Sequence, residues 1–152
     1  MEFSAADWVQ IGLTEAILSH QGAPLYIAAE RGAIAAVKVM CEAGSNLEVR
    51  GPGGRRPQHA AAAGGHGGIV ATLLGAGCEI DPRDDDGNTP LIAAILAGQA
   101  TSVEILLAVG ADVEAMRVDG LTAVHVAQFP DTPRNIRELL ELGVSGAPII
   151  IG

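Results

Sequence analysis

The chain has 152 residues, enough for one domain; 49% are apolar and only 3% aromatic, so its core must be built from Ala, Leu, Ile and Val. A formal charge of −9 with a single lysine, Lys38, argues against nucleic acid and anionic membranes, which need a basic surface. No apolar run approaches the roughly 18 residues of a membrane helix, and Met1-Glu2-Phe3 does not open a secretory leader.

In chain order, Ser4 to His20 reads as helix, with Ser4 and Asp7 at capping positions and Trp8, Ile11, Ala16, Ile17 and Leu18 offering apolar surface. Residues 1–19 are expected to form an N-terminal capping helix. From Gly22 onward the same residue types return every 33 positions, four times and without a gap. Pro24, Pro57 and Pro90 coincide, as do Ala28, Ala61, Ala94 and Ala127, then Val37, Val70, Val103 and Ile136. Met40, Leu73, Leu106 and Leu139 coincide too, and so do Gly44, Gly77, Gly110 and Gly143. A fixed period carried by core-type residues means a stacked array of supersecondary units, here about 20–52, 53–85, 86–118 and 119–145.

Within a unit the order of signals is helical. Thr89 or Thr122 can cap a helix while Pro90 occupies its first position, where a missing N–H costs nothing. Small residues follow, such as Ala28-Ala29, Ala60 to Ala63 and Ala93-Ala94, letting neighbouring helices approach closely. The second helix carries bulk at i, i+3 and i+4, as in Val70, Leu73, Leu74 and Val103, Leu106, Leu107. The recurring Gly44, Gly77, Gly110 and Gly143 are expected to end it in the left-handed conformation. In the fourth unit Phe129-Pro130-Asp131-Thr132-Pro133 replaces the Gly-containing turn, and Thr132-Pro133 restarts a helix. Residues 146–152 are an apolar tail, and Ile149, Ile150 and Ile151 are expected to fold back or to contact a partner or further sequence.

The run Thr89-Pro90-Leu91-Ile92-Ala93-Ala94, with Ala23-Pro24-Leu25-Tyr26-Ile27-Ala28, Arg56-Pro57-Gln58-His59-Ala60-Ala61 and Thr122-Ala123-Val124-His125-Val126-Ala127, resembles the ankyrin repeat signature T-P-L-H-x-A. The resemblance covers about residues 20–145. It implies an all-α, ankyrin-like repeat solenoid of helix-turn-helix units joined by hairpin loops. It also implies that His59 and His125 hydrogen-bond the neighbouring hairpin backbone, and that the array binds another protein.

Chemical motifs fail on inspection. Gly64-Gly65-His66-Gly67-Gly68 lacks the strand and the Lys-Ser/Thr of a phosphate loop, and its glycines match Gly32 and Gly98 by phase. Asp81 to Gly87 places Pro82 at the first calcium-ligand position. His59 and His125 are two units apart, about 20 Å at roughly 10 Å per repeat, too far to share a metal. No residue stands in a recognisable nucleophile context, and we assign no catalytic residue, cofactor or metal. Cys41 and Cys78 read as buried thiols of an intracellular, reducing compartment, cytoplasmic by default, or an organelle if a presequence was removed.

Function then belongs to surface. Arg50, Arg55 and Arg56 gather on one hairpin loop and Asp81, Asp84, Asp85 and Asp86 on the next, with Asp84 in phase with Arg117, so that neighbouring fingertips either pair across the stack or form a solvated edge. By the resemblance, the concave side is lined by Ile27, Ala60, Ala93 and Val126 and, one turn on, by Glu30, Ala63, Leu96 and Phe129. This nearly uncharged strip is either a contact surface or part of the core between repeats. The expected protein-binding residues are Ile27, Arg55, Arg56, Asn88, Ala93, Leu96, Leu121, Val126 and Phe129. Alternatives are a permanent subunit or domain of a larger assembly and a regulatory appendage of an enzyme outside this chain.

Overall fold

A computed structural model describes residues 24–145; the expected capping helix over 1–19 and the tail 146–152 lie outside the described residues. Within them stand eight α-helices and no strand. They are α1 (Pro24–Arg31), α2 (Ile34–Glu42), α3 (Pro57–Ala63), α4 (Gly67–Gly75), α5 (Pro90–Leu96), α6 (Ala100–Ala108), α7 (Ala123–Val126) and α8 (Arg134–Ser145). Seven of them have nine residues or fewer, shorter than the ~12–15 residues at which an isolated helix becomes marginally stable. Packing therefore decides whether they form.

Among the described residues that packing runs chiefly between neighbours. The odd-numbered helices contact one another in succession, α1 with α3, α3 with α5 and α5 with α7, and the even-numbered helices do the same. Each pair also closes on itself. Two layers result, with the core running between them along the stack. Ala28, Ala61 and Ala94 are wholly buried, as are Val37, Val70, Val103 and Ile136. Burying one such Val or Ile side chain contributes about 1.5–3 kcal/mol, so the stripe read from the sequence carries much of the stability.

Helix starts follow two devices. Pro57 and Pro90 sit in the first helical turn, and Thr89 Oγ1 accepts the N–H of Ile92 at 3.3 Å. Where Thr is absent, histidine takes over: His59 Nδ1 accepts the N–H of Arg56 at 3.0 Å. In the fourth unit Thr122 stands at the N-cap, and His125 Nδ1 accepts the Thr122 N–H at 3.1 Å and lies 3.0 Å from its hydroxyl.

Helix ends are closed by backbone bonds that need a left-handed residue. Ser45, Cys78 and Ala111 N–H groups reach back to Met40, Leu73 and Leu106 carbonyls, with Gly44, Gly77 and Gly110 at φ 81°, 101° and 93°. The turn inside each of the first three hairpins repeats this closure at Gly32, Gly65 and Gly98. A side chain of the next unit lies over each of those glycines, namely His66, Gln99 and Pro133.

The fourth unit departs from expectation in two ways. Gly143 does not end its helix, because α8 continues to Ser145; glycine permits a left-handed cap without imposing one. In addition α8 starts one residue later in the period than α2, α4 and α6. The turn before it lacks glycine and is held by the Thr132 N–H to the Phe129 carbonyl and by Thr132 Oγ1 to the Val126 carbonyl. Leu140 is consequently buried more deeply than Leu139, the residue in phase with Leu106.

Candidate protein-binding face

Between units the chain makes hairpin loops, and these fingertips are joined by backbone bonds. The Asp85 N–H donates to the Gly53 carbonyl at 2.9 Å, and the Val118 N–H to the Asp86 carbonyl at 3.1 Å. Side-chain pairing across the stack, one of the two sequence readings, is absent for Asp84 and Arg117. Asp84 is occupied within its own turn: Oδ1 accepts the N–H groups of Asp86 and Asn88 at 2.9 and 2.8 Å, and Oδ2 accepts the Asn88 side-chain amide at 3.2 Å. Arg117 pairs with Asp119 on its own loop at 3.3 Å.

The second and third fingertips and the first helices beneath them enclose a depression of about 390 Å³. Of the residues expected at the binding face, it brings together Arg55, Asn88, Ala93 and Leu96. Ala63 and Ala97 complete its apolar floor, and Asp84 and Asp86 stand in its wall. Leu96 is 47% exposed, a large apolar side chain on the surface. Apolar area with a few convergent polar groups is the composition of a recognition site. A depression of similar size, about 400 Å³, lies on the other side between α4 and α6, but Leu74, Cys78, Ile80, Ile105 and Val109 give it no charged group to orient a ligand.

The remaining expected residues fall elsewhere. Ile27 and Val126 are not on the surface: at 5% and 0% exposure they belong to the core, because the neighbouring first helices close over this position. Arg56 turns away from the depression to Glu48, with Nη1 at 3.3 Å from Oε2 and its side chain 14% exposed. Leu121 is partly buried against the core. Phe129 is 37% exposed but does not line the depression. The run Asp84 to Asp86, not assigned to the site from the sequence, stands in its wall because the turn that Asp84 builds holds the Asp86 and Asn88 N–H groups, a geometry that residue type alone does not reveal.

His59 is built into the fold. His59 is fully buried and its Nε2 lies 2.7 Å from the carbonyl of Asn88 in the next fingertip; burial is the chief cause that lowers its pKa. His125, in phase with it, is exposed and bonds only within its own unit. Cys41 and Cys78 are free thiols, and burial pushes Cys78 up to about 12, far from a reactive thiolate. Among the described residues no three of His, Cys, Asp and Glu gather as metal ligands, and no helix is long and apolar enough to cross a membrane.

A family model described as ankyrin repeats (3 copies) matches residues 25–117 and again residues 59–147, most of the chain. No curated protein matches it. With stacked helical hairpins, fingertips joined through their backbone and a depression where the two surfaces meet, the chain belongs to the ankyrin repeat family, whose units are generally protein–protein interaction modules.

Proposed function

We propose that this chain is a protein-binding module that holds its partner in the depression between the second and third fingertips. The observation that carries the reading is the convergence of Arg55, Asn88, Ala93 and exposed Leu96 on one concavity, with Ala63, Ala97, Asp84 and Asp86 around them. Repeat scaffolds of this kind are typically non-catalytic, so the decorated surface is where function resides. The two free, protonated thiols support a reducing, intracellular setting, with the cytoplasm as the default. Replacing Leu96 with a photo-crosslinking amino acid tests the reading in extract from the source cells. Capture of the same partner by a cross-linker at Arg55, and none at Lys38 on the exposed face of α2, is the expected result. Capture confined to Lys38 rejects it.

A second reading, a permanent subunit of a larger assembly, is favoured by apolar side chains exposed at the junction of the third and fourth units and in the fourth unit. Met116 and Val118 are 54% and 77% exposed on the last described fingertip, and Val124 and Phe129 are each 37% exposed. Large apolar side chains left on the surface are candidates for burial against a partner. Sedimentation of the isolated chain separates the readings: a stable monomer supports the reversible module, and obligate self-association supports the subunit.

A further inference from the structure

The polar groups around the depression are not equally free, and their difference points to a class of partner. Asp84 has its carboxylate engaged by Asp86 and Asn88. Asp86, exposed, makes no side-chain hydrogen bond or ion pair with the described residues. Asn88 Oδ1 likewise has no donor among them. Arg55, by contrast, is tied back to the protein: Nη2 donates to the His59 carbonyl at 3.4 Å, and its charge acts on the nearby Tyr26 phenol. Of the polar groups that line the depression, the uncommitted ones are therefore acceptors, one of them a full negative charge, beside the apolar floor of Leu96, Ala97 and Ala63.

We propose that the depression takes an extended peptide segment in which a lysine or arginine lies close to a bulky apolar side chain. The apolar side chain seats on Leu96 and Ala97, and the cation reaches Asp86. This inference rests on the reading of the depression as the binding face. Three features support it. Two carboxylates, Asp84 and Asp86, face one guanidinium, Arg55, so the local field is negative. The whole chain carries −9, which draws cationic segments toward it and speeds encounter. At about 390 Å³ the space is at the small end of ligand sites, fitting side chains of a segment and not a folded domain.

The test is selection of random twelve-residue peptides displayed on phage against the purified chain, followed by fluorescence anisotropy of a selected peptide with Leu96→Asp, Asp86→Lys and Asp86→Asn. Circular dichroism shows that each variant is folded. The expected peptides carry Lys or Arg within a few positions of Leu, Ile, Met or Phe. Binding falls ~10-fold or more for Asp86→Lys, falls less for Asp86→Asn, and weakens with added salt. Peptides that need Leu96 yet show no cation preference, or an acidic one, overturn the inference and leave the binding face standing. Peptides indifferent to Leu96→Asp, or no selected peptide at all, overturn both.

Discussion

His59 Nε2 donates to the carbonyl of Asn88 at 2.7 Å, so one imidazole joins the first helix of the second repeat to the fingertip of the third. Its Nδ1 accepts the N–H of Arg56 at 3.0 Å, which requires the proton to sit on Nε2. Both ring nitrogens are satisfied inside the protein, and the wall of the depression rests on this bond through Asn88. His59→Ala removes the bond, leaves the Asn88 carbonyl without its donor and opens a cavity; a loss of about 2–4 kcal/mol is expected in urea denaturation. A loss below about 1 kcal/mol would show that the ring holds nothing together.

The same ring sets a pH dependence. Burial lowers its pKa from the ordinary value of 6.5, outweighing the Asn88 carbonyl and Asp84, which act the other way. A depressed folded-state value means that the native state favours neutral imidazole. Its contribution is present above about pH 6.5 and is lost as the pH falls through the lower, native value. The stability difference between the native chain and His59→Gln should therefore shrink from about pH 7.5 to about pH 5, where unfolded imidazole is charged. A difference that stays level or grows on acidification contradicts this assignment.

Gln58 is 1% exposed, and neither of its amide atoms has a hydrogen-bond partner among the described residues. Leu25 and Leu91, in phase with it, are buried at 2% and 0%. The site is thus built for leucine and occupied by an amide that has given up water. Gln58→Leu should stabilise the chain by about 1–3 kcal/mol, read as a raised urea midpoint with unchanged slope. An unchanged or lowered midpoint would show that the amide is satisfied in solution.

The repeat frame was legible because Pro57, Pro90, the Val70–Val103 stripe and Gly77 and Gly110 obey local rules whose period survives in one dimension. Depth was less legible. Ile27 and Leu96 both read as uncharged first-helix residues on the concave side, yet one is in the core and the other on the surface. Which way each falls depends on the rotation of the neighbouring helix, a tertiary quantity. Arg55 and Arg56 are adjacent and chemically identical, but Glu48, eight residues before Arg56, draws it away from the depression and leaves Arg55 there. Gly143 carries the phase of a helix terminator, but the closure seen at Gly44, Gly77 and Gly110 does not form there.

Two glycines with the same sign of φ should respond differently to alanine. Gly87, at φ 80°, has the Val118 nitrogen and the Arg117 backbone within 2.7–3.1 Å of where a Cβ would stand, and neither can swing aside. Gly110, at φ 93°, has nothing within 4 Å of that point. Gly110→Ala should cost about 1–2 kcal/mol from the left-handed backbone alone. Gly87→Ala should cost more and loosen the contact between the third and fourth fingertips, seen as faster hydrogen exchange at Val118, whose N–H holds the Asp86 carbonyl. Equal costs, with Val118 unaffected, would mean that the fingertips separate without penalty.

Asp81 accepts the N–H of Asp112 through both carboxylate oxygens at 3.2 Å, and Glu48, one period earlier, accepts the N–H of Glu79 at 2.9 Å. Carboxylates thus tie the first loop to the second and the second to the third. For Asp81, partial burial raises the pKa above 3.8, an effect larger than the opposing Asp112 bond. A raised folded-state value means that this group's contribution is full below about pH 3.8 and is lost as the pH rises through the native value. Asp81→Asn keeps an acceptor and removes the desolvated charge, so relative to the native chain it should fare better at pH 7 than near pH 3.5. Asp81→Ala removes the acceptor and should cost about 1 kcal/mol at neutral pH. If both variants shift the urea midpoint equally at every pH, the carboxylate acts only through its bulk, and the bond to Asp112 does not tie the loops together.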